Sequence, residues 1–202
     1  MHNAYNYIQY EYRLSKMKIL TKNKAELLGL FFTNPEKSFY IQEIGRIFGK
    51  KPGTFQRTLN NLISEGILRS EYKGNLRFIK VNKEYPIYEE LKSIIFKTAG
   101  VKGNIKKVLE KIGNIKLAFI YGSYAKSREN LLSDVDLLIV GNPDEDKLIT
   151  ELDKLEEKLQ RDINYKIYRY DEFRKVIIEK DPFILEILKE KKIMLVGNKN
   201  DL

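Results

Sequence analysis

The sequence lacks several residues on which catalytic and metal sites often depend. Among its 202 residues there is no cysteine, and His2 is the one histidine. Disulfides, thiolate metal sites and a cysteine nucleophile are therefore excluded. Histidine catalysis and zinc chemistry are not expected, because a single histidine stands at the start of the chain. Acid–base or metal chemistry must fall to carboxylates, lysines and hydroxyls.

Long apolar stretches are missing as well. No run reaches the roughly 18 residues that a membrane span needs. The first residues also lack the charged-then-apolar pattern of a signal peptide. Hydrophobic residues make up 43% of the chain and charged residues 32%, which is typical of soluble globular proteins. We therefore expect a cytoplasmic protein with no membrane contact.

Positive charge is concentrated in the first half of the chain. The net charge is +9, and residues 1–100 contain 17 lysines and arginines against 9 acidic residues. Residues 101–202 are nearly balanced, with 20 against 19. This asymmetry favours a polyanionic partner for the first half. The alternative is that a lysine-rich composition simply gives basic, solvated surfaces.

Apolar spacing and turn residues predict the order of elements in the first half. Helices are expected over residues 24–33, 41–49 and 52–65, with a short extended piece at 38–40. Two strands flank Lys73-Gly74-Asn75, a hairpin connection. Helix, short strand, helix, helix and hairpin is the order of a winged helix-turn-helix domain. We place this domain at residues 21–84, between an N-terminal arm at 1–20 and a linking helix at 85–100.

The third helix predicts a surface that reads DNA. Its apolar residues share one face, and polar residues occupy the other. Arginine, asparagine and glutamine suit base edges in the major groove, and cations on the hairpin could reach phosphates. The candidate contacts to double-stranded DNA are Lys50, Lys51, Thr54, Gln56, Arg57, Asn60, Asn61, Lys73 and Arg77. A merely solvated face, or a protein contact, is the alternative. The tyrosine-rich arm could support a homodimer.

The second half reads as a domain of mixed α/β (α+β) class at residues 101–202. Strands are expected at 115–121, 135–140, 163–168 and 193–196, and helices at 105–111, 144–159, 171–179 and 183–189. This pattern predicts a small mixed sheet flanked by helices.

A glycine–serine pair and two carboxylates form the chemical signature of this half. Gly122-Ser123 follows an apolar strand, and Asp134 and Asp136 open the next one. Residues i and i+2 of a strand point to one face, so the two carboxylates lie side by side and favour a divalent ion. Gly122 lets the backbone approach a phosphate, and the Ser123 amide at a helix start can bind that anion. Each feature alone is common in solvated edges and helix caps.

The combination resembles the minimal nucleotidyltransferases of the polymerase-beta superfamily, whose signature is Gly-Ser followed by Asp-x-Asp. The resemblance covers roughly residues 100–197. It implies metal binding by Asp134 and Asp136 and nucleotide binding by Gly122, Ser123, Lys126 and Ser133. Where the family usually has a glycine after its basic residue, this chain has serine, in Ala125-Lys126-Ser127.

A third carboxylate is present on a later strand in active members. Aligning strand centres places Asn164 at that position, with Asp162 one pleat away as the alternative. Asparagine binds metal more weakly than a carboxylate and cannot act as a base.

The resemblance implies Mg²⁺ (or Mn²⁺) and transfer of a nucleoside monophosphate, AMP from ATP or a unit of another nucleoside triphosphate, to an acceptor. Some members are antitoxins that adenylylate a partner toxin, so a protein acceptor is one expectation. The rival interpretation is a transcription regulator whose second domain senses nucleotide or contacts a protein. A third is a nucleic-acid-modifying enzyme that docks its substrate through the winged helix.

Overall fold

The computed structural model describes residues 21–126 and 133–198. The arm predicted at residues 1–20 lies outside the described residues, as does Ser127. The chain divides into two compact units, with the division after Val101. In the described part, no helix is both long and apolar enough to cross a membrane.

The first unit contains a three-stranded antiparallel sheet and four helices among its described residues. In chain order these are α1 (Lys22–Thr33), β1 (Phe39–Tyr40), α2 (Ile41–Ile47), α3 (Gly53–Ser64), β2 (Leu68–Lys73), β3 (Leu76–Val81) and α4 (Tyr88–Thr98). The strand order is β1-β3-β2. Gly74 has φ +58° in the two-residue turn between β2 and β3, as a tight hairpin requires.

Apolar residues at helical spacing form the core of the first unit. Leu27 and Phe31 of α1 are fully buried, as is Phe55 of α3. The second half of α1 is buried on all sides, whereas α3 buries a single apolar face. The helix predicted as a link adds Tyr88 and Ile95 to the same core. Removing a side chain such as Phe31 would therefore cost about 3–5 kcal/mol.

Two glycines shape the turn between α2 and α3. Gly49 has φ +58°, and the amide of Lys50 donates to the Gly45 carbonyl at 2.9 Å. A Cβ on Gly45 would lie 2.9 Å from the carbonyl oxygen of Lys50. Both positions require glycine for close approach or a left-handed backbone.

The second unit is built on a four-stranded mixed sheet, as expected. Its elements are α5 (Val101–Ile112), which begins at the unit boundary, β4 (Ile115–Tyr121), α6 (Gly122–Lys126), β5 (Val135–Gly141), α7 (Glu145–Leu159), β6 (Ile163–Tyr168), α8 (Tyr170–Ile178), α9 (Pro182–Lys189) and β7 (Ile193–Val196). The order is β6-β5-β4-β7, with β6 parallel to β5 and the other pairs antiparallel. The prediction of a mixed α/β structure with small sheets flanked by helices is confirmed.

The start of α5 differs from its prediction. Residue 105 was the expected start, because Gly100 and Gly103 read as breakers, yet the helix begins at Val101. Val101 and Gly103 are both buried, so packing outweighs the weak helix propensity of glycine.

Candidate active site at one end of the mixed sheet

The candidate site lies where β4 ends and β5 begins. Tyr121, the last residue of β4, pairs with Asp136 of β5 in antiparallel register. Asp134 precedes β5 and is exposed, whereas Asp136 is half-buried. The buried residues Leu137, Leu138 and Ile139 anchor the strand behind them. The sequence thus fixes the two carboxylates at the end of a rigid strand.

Gly122 is fitted to the Asp136 side chain. Its φ is +70°, and a Cβ built on it would lie 2.4 Å from Oδ2 of Asp136. Any other residue would be strained and would displace this carboxylate. The glycine of the signature therefore has a direct structural role in placing Asp136.

The parallel pairing of β5 with β6 decides which residue joins the two aspartates. Asp136 is the register partner of Asn164. Nδ2 of Asn164 donates to Oδ1 of Asp136 at 3.5 Å, the long limit for a hydrogen bond. The residue predicted at the third acidic position therefore lies beside Asp136 and contacts it.

Asp162 lies beside Asp134, the other aspartate of the pair. The same register, continued past the Val135–Ile163 pair, sets it beside Asp134, and the Val135 amide donates to its carbonyl at 2.9 Å. Arg161, which is buried, interacts electrostatically with both carboxylates. Burial lowers the pKa of this guanidinium, and electrostatic interactions with Tyr124, Asp134 and Asp162 oppose that change.

The donor set fits a hard divalent ion. Within residues 21–126 and 133–198, no three carboxylate, histidine or cysteine side chains gather closely enough to form a metal cluster. Asp134 and Asp136 offer carboxylate oxygens, and turning the Asn164 amide over would add its oxygen. Oxygen donors are those that Mg²⁺ prefers.

Three residues near the carboxylates were not among the predicted site residues. Lys166 follows Asn164 by one pleat on the exposed face of β6, and its Nζ lies 4.6 Å from the ring centroid of Phe183. The Phe183 ring also meets the Tyr121 ring edge to face at 6.1 Å. Burial raises the pKa of Tyr121, and the Asp136 carboxylate and Tyr168 add to the rise. The alternation of β6 indicates Lys166, but Phe183 lies on α9 and carries no signal in the sequence.

The family described as Polymerase beta, Nucleotidyltransferase matches residues 103–200. Residues 103–200 form a polymerase-beta nucleotidyltransferase domain. Among curated proteins, no match was found.

Two solved structures are similar to part of this chain. One is a toxin–antitoxin with AMP-PNP, at 18% identity and a TM-score of 0.37. The other is a mutant of the toxin–antitoxin MntA–HpeT, at 17% identity and a TM-score of 0.36. Each match covers 50% of this chain and 76% of the other.

The remaining predicted nucleotide contacts differ in their surroundings. Ser123 of the nucleotidyltransferase domain is exposed and lies directly after Gly122, whereas Ser133 is half-buried. Lys126 forms an ion pair with Glu190. Its side chain is 53% exposed, so a phosphate would have to compete with this carboxylate.

The predicted DNA contacts divide into exposed and paired residues. Five side chains of α3 point to solvent and away from the core, namely Thr54, Gln56, Arg57, Asn60 and Asn61. Lys51 is also exposed just before this helix. An amphipathic helix with one amide-rich and basic face is therefore present, as the sequence predicts.

The other three predicted contacts have partners in the protein. Lys50 pairs with Glu26 at 2.5 Å and contacts the Phe55 ring. Arg77 donates to Oδ1 of Asn60 at 2.9 Å, which ties β3 to α3. Lys73 lies 3.3 Å from Glu71. Lys50 thus has a structural role, and Arg77 braces the exposed helix.

Proposed function

We propose that this protein binds double-stranded DNA through its first unit and transfers a nucleoside monophosphate, AMP from ATP, through its nucleotidyltransferase domain. The observation that supports the transfer most directly is the fit of Gly122 against the Asp136 carboxylate, with Asn164 alongside. This arrangement keeps an exposed, oxygen-rich surface next to a backbone that a triphosphate can approach. The acceptor is a hydroxyl, and pyrophosphate leaves.

Each residue of the site has a distinct task in this proposal. Asp134 and Asp136 hold Mg²⁺ (or Mn²⁺), which when bound offsets the negative charge of the triphosphate. Gly122 and Ser123 present backbone amides to a phosphate. Lys166 makes no ion pair within the described residues, so its ammonium is free to bind a phosphate oxygen. Asn164 orients Asp136 through its amide.

A second function is favoured by Asn164 itself. An amide in the place of a carboxylate cannot accept the proton of an acceptor hydroxyl. A domain with asparagine at this position can bind a nucleotide without transferring any part of it. The protein would then be a transcription regulator that senses nucleotide, or uses this domain for a protein contact, and adjusts its grip on DNA.

The proposed acceptor is a protein. This step rests on the resemblance to antitoxins that adenylylate a partner toxin. The group on that protein that accepts the nucleoside monophosphate is a hydroxyl.

The proposal for the first unit is a winged helix-turn-helix domain. The tight α2–α3 turn, the exposed face of α3 and the β2–β3 hairpin follow that plan. In this arrangement α3 enters the major groove, where Gln56, Arg57 and Asn61 reach base edges. Such domains often bind paired half-sites, so a homodimer is part of the proposal.

Labelled ATP separates the two candidate functions. The full chain is incubated with Mg²⁺ and ATP labelled on the α-phosphate, with and without extract from cells. Label on a protein supports the transferase, and its loss in Asp134→Asn/Asp136→Asn assigns it to this site. If MgATP stabilises the wild type but not the double variant Asp134→Asn/Asp136→Asn, and no product is labelled, the nucleotide-sensing regulator is supported. No change in melting temperature at millimolar MgATP, together with no label, would remove both.

DNA binding is tested by titration at several salt concentrations. Binding should weaken as salt rises, because phosphate contacts release counterions. Arg57→Ala should weaken binding to a selected sequence more than to random DNA. Arg69→Ala is the matched control, because Arg69 is already paired with Glu84. Absence of binding at low salt would contradict the DNA proposal.

A further inference from the structure

The opposite end of the mixed sheet contains a cleft that no predicted site residue lines. It lies between the start of β4, the end of β5 and the end of β6, and its volume is about 740 Å³. Pockets for small ligands have volumes of about 300–1,000 Å³. From Asp136 to Gly141, β5 rises about 17 Å, so this cleft is separate from the candidate active site.

A bulge in β4 aims a lysine at this cleft. Ile115 pairs with Gly141 and Leu117 with Val140, so Lys116 is an extra residue in the register. Leu117 packs in the core cluster that includes Phe173 of α8. In a regular strand Lys116 would point to the opposite face, yet its Nζ lies 4.1 Å from the ring centroid of Tyr170, also on α8. Bulges re-aim side chains in this way, often next to functional sites.

Positive charge surrounds the Tyr170 ring. The guanidinium carbon of Arg174 lies 5.8 Å from the ring centroid, and Arg169 lines the cleft beside it. In the part of the chain that the structure describes, Lys116, Arg169 and Arg174 make no ion pair. Asp171 is the acidic residue among those lining the cleft. Among the lining residues, two cations stand against one carboxylate. Arg174 beside the ring adds a positive charge, and Glu172, which accepts from the Arg169 amide at 3.0 Å, adds a negative one. The balance is one positive charge, which suits an anion.

The rest of the lining narrows the ligand class. Asn114 and Asn142 offer amide groups that can both donate and accept hydrogen bonds. Tyr170 is 44% exposed, and a planar ring can stack on it by displacing the more distant of its two cations, Arg174. The cations can contact a phosphate, the tyrosine ring can stack on the face of a base, and the amides can form hydrogen bonds to the edge of that base. We infer that this cleft binds a nucleotide unit through its phosphate and base, either as a free nucleotide or as part of a single-stranded nucleic acid.

Binding is measured by calorimetry on the full chain in EDTA, so that no metal–nucleotide complex can bind at the candidate active site. The probes are inorganic phosphate, AMP and a six-nucleotide oligoadenylate. AMP should bind more tightly than phosphate if the ligand is a free nucleotide. Binding of the oligonucleotide, but not of AMP, would assign the cleft to a single strand. Both outcomes support the inference only if cleft variants weaken the binding.

Two variants and a matched control decide this. Lys116→Gln and Arg169→Gln should each weaken binding about tenfold or more, because each removes a charge-assisted contact to phosphate. Lys175→Gln, an exposed lysine of α8 next to Arg174, should change it less than twofold. Circular dichroism melting checks that each variant folds. Equal affinity for phosphate and AMP, or binding that both cleft variants leave unchanged, would overturn the inference.

Discussion

The two ends of the four-stranded sheet differ in charge although they share β4, β5 and β6. At one end Tyr121 pairs with Asp136, and Asn164 completes an oxygen-rich surface. At the other end Ile115 pairs with Gly141, and the bulged Lys116 lies in a basic cleft. A cation with phosphates suits the first end, whereas an anion suits the second. The two ends of one small sheet thus present side chains of opposite charge.

Glycine is required at both ends for different physical reasons. At Gly122 an added Cβ would meet the Asp136 carboxylate, whereas at Gly141 it would lie 2.4 Å from the carbonyl oxygen of Asn114. The first contact involves a side chain of the candidate active site, and the second involves backbone that holds a loop. The requirement for glycine at Gly122 is therefore tied to the candidate active site, whereas the requirement at Gly141 comes from backbone packing alone.

The largest effect is expected from Gly122→Ala. The variant meets both a left-handed backbone and the Asp136 carboxylate, so we expect a loss of about 2–4 kcal/mol in the free energy of unfolding. Gly113→Ala is the control at the basic end, because Gly113 has φ +74° but no atom within 4 Å of the added Cβ. It should cost only about 1–2 kcal/mol, from backbone strain alone. Urea unfolding measures both, and equal losses would show that Asp136 does not press on Gly122.

A smaller effect, of opposite sign at the two ends, is expected from adding a carboxylate. Asn164→Asp removes the amide contact to Asp136 and places like charges together, so in EDTA it should cost about 1 kcal/mol. Mg²⁺ should reverse this loss and bind more tightly than to the wild type. Asn142→Asp adds the same charge near Lys116 and Arg169, so it should be neutral or slightly stabilising. Destabilisation by both substitutions, with no response to Mg²⁺, would break the electrostatic contrast.

Much of the acidic end could be predicted from the sequence, and little of the basic end. Apolar runs gave the bounds of β4 and β6, and Gly122, Asp134 and Asp136 are close together in the chain. Aligning strand centres predicts Asn164 at the third position, and the β5–β6 register sets this residue beside Asp136.

The basic cleft brings together Lys116, Arg169 and Tyr170 from distant parts of the chain. Its key feature is a bulge, which has no signal in residue type. Local patterns fix elements, whereas irregular pairing and helix docking arise from tertiary packing. Phe183 was missed for the same reason.

The smallest expected effect concerns the pH dependence of stability at the acidic end. A tyrosine in the unfolded chain ionises near pH 10, whereas burial, with Asp136 and Tyr168, raises the pKa of Tyr121 in the folded protein. Between these two pKa values the unfolded state has lost a proton that the folded state retains. Stability from this residue is therefore complete below about pH 10 and falls as the pH rises toward the folded pKa.

Tyr121→Phe removes this titration without removing the ring that contacts Phe183. Between about pH 9 and about pH 11 the variant should lose less stability in urea unfolding than the wild type does. Other tyrosines and lysines titrate in the same range, so the comparison is the difference between the two proteins at each pH. In an Asp136→Asn background the difference should shrink but persist, because burial is the larger cause of the raised pKa. If the difference between the two proteins is just as large in the Asp136→Asn background, the Asp136 carboxylate has no electrostatic effect on Tyr121. If there is no difference in the native background, the Tyr121 hydroxyl is as well solvated in the folded state as in the unfolded state.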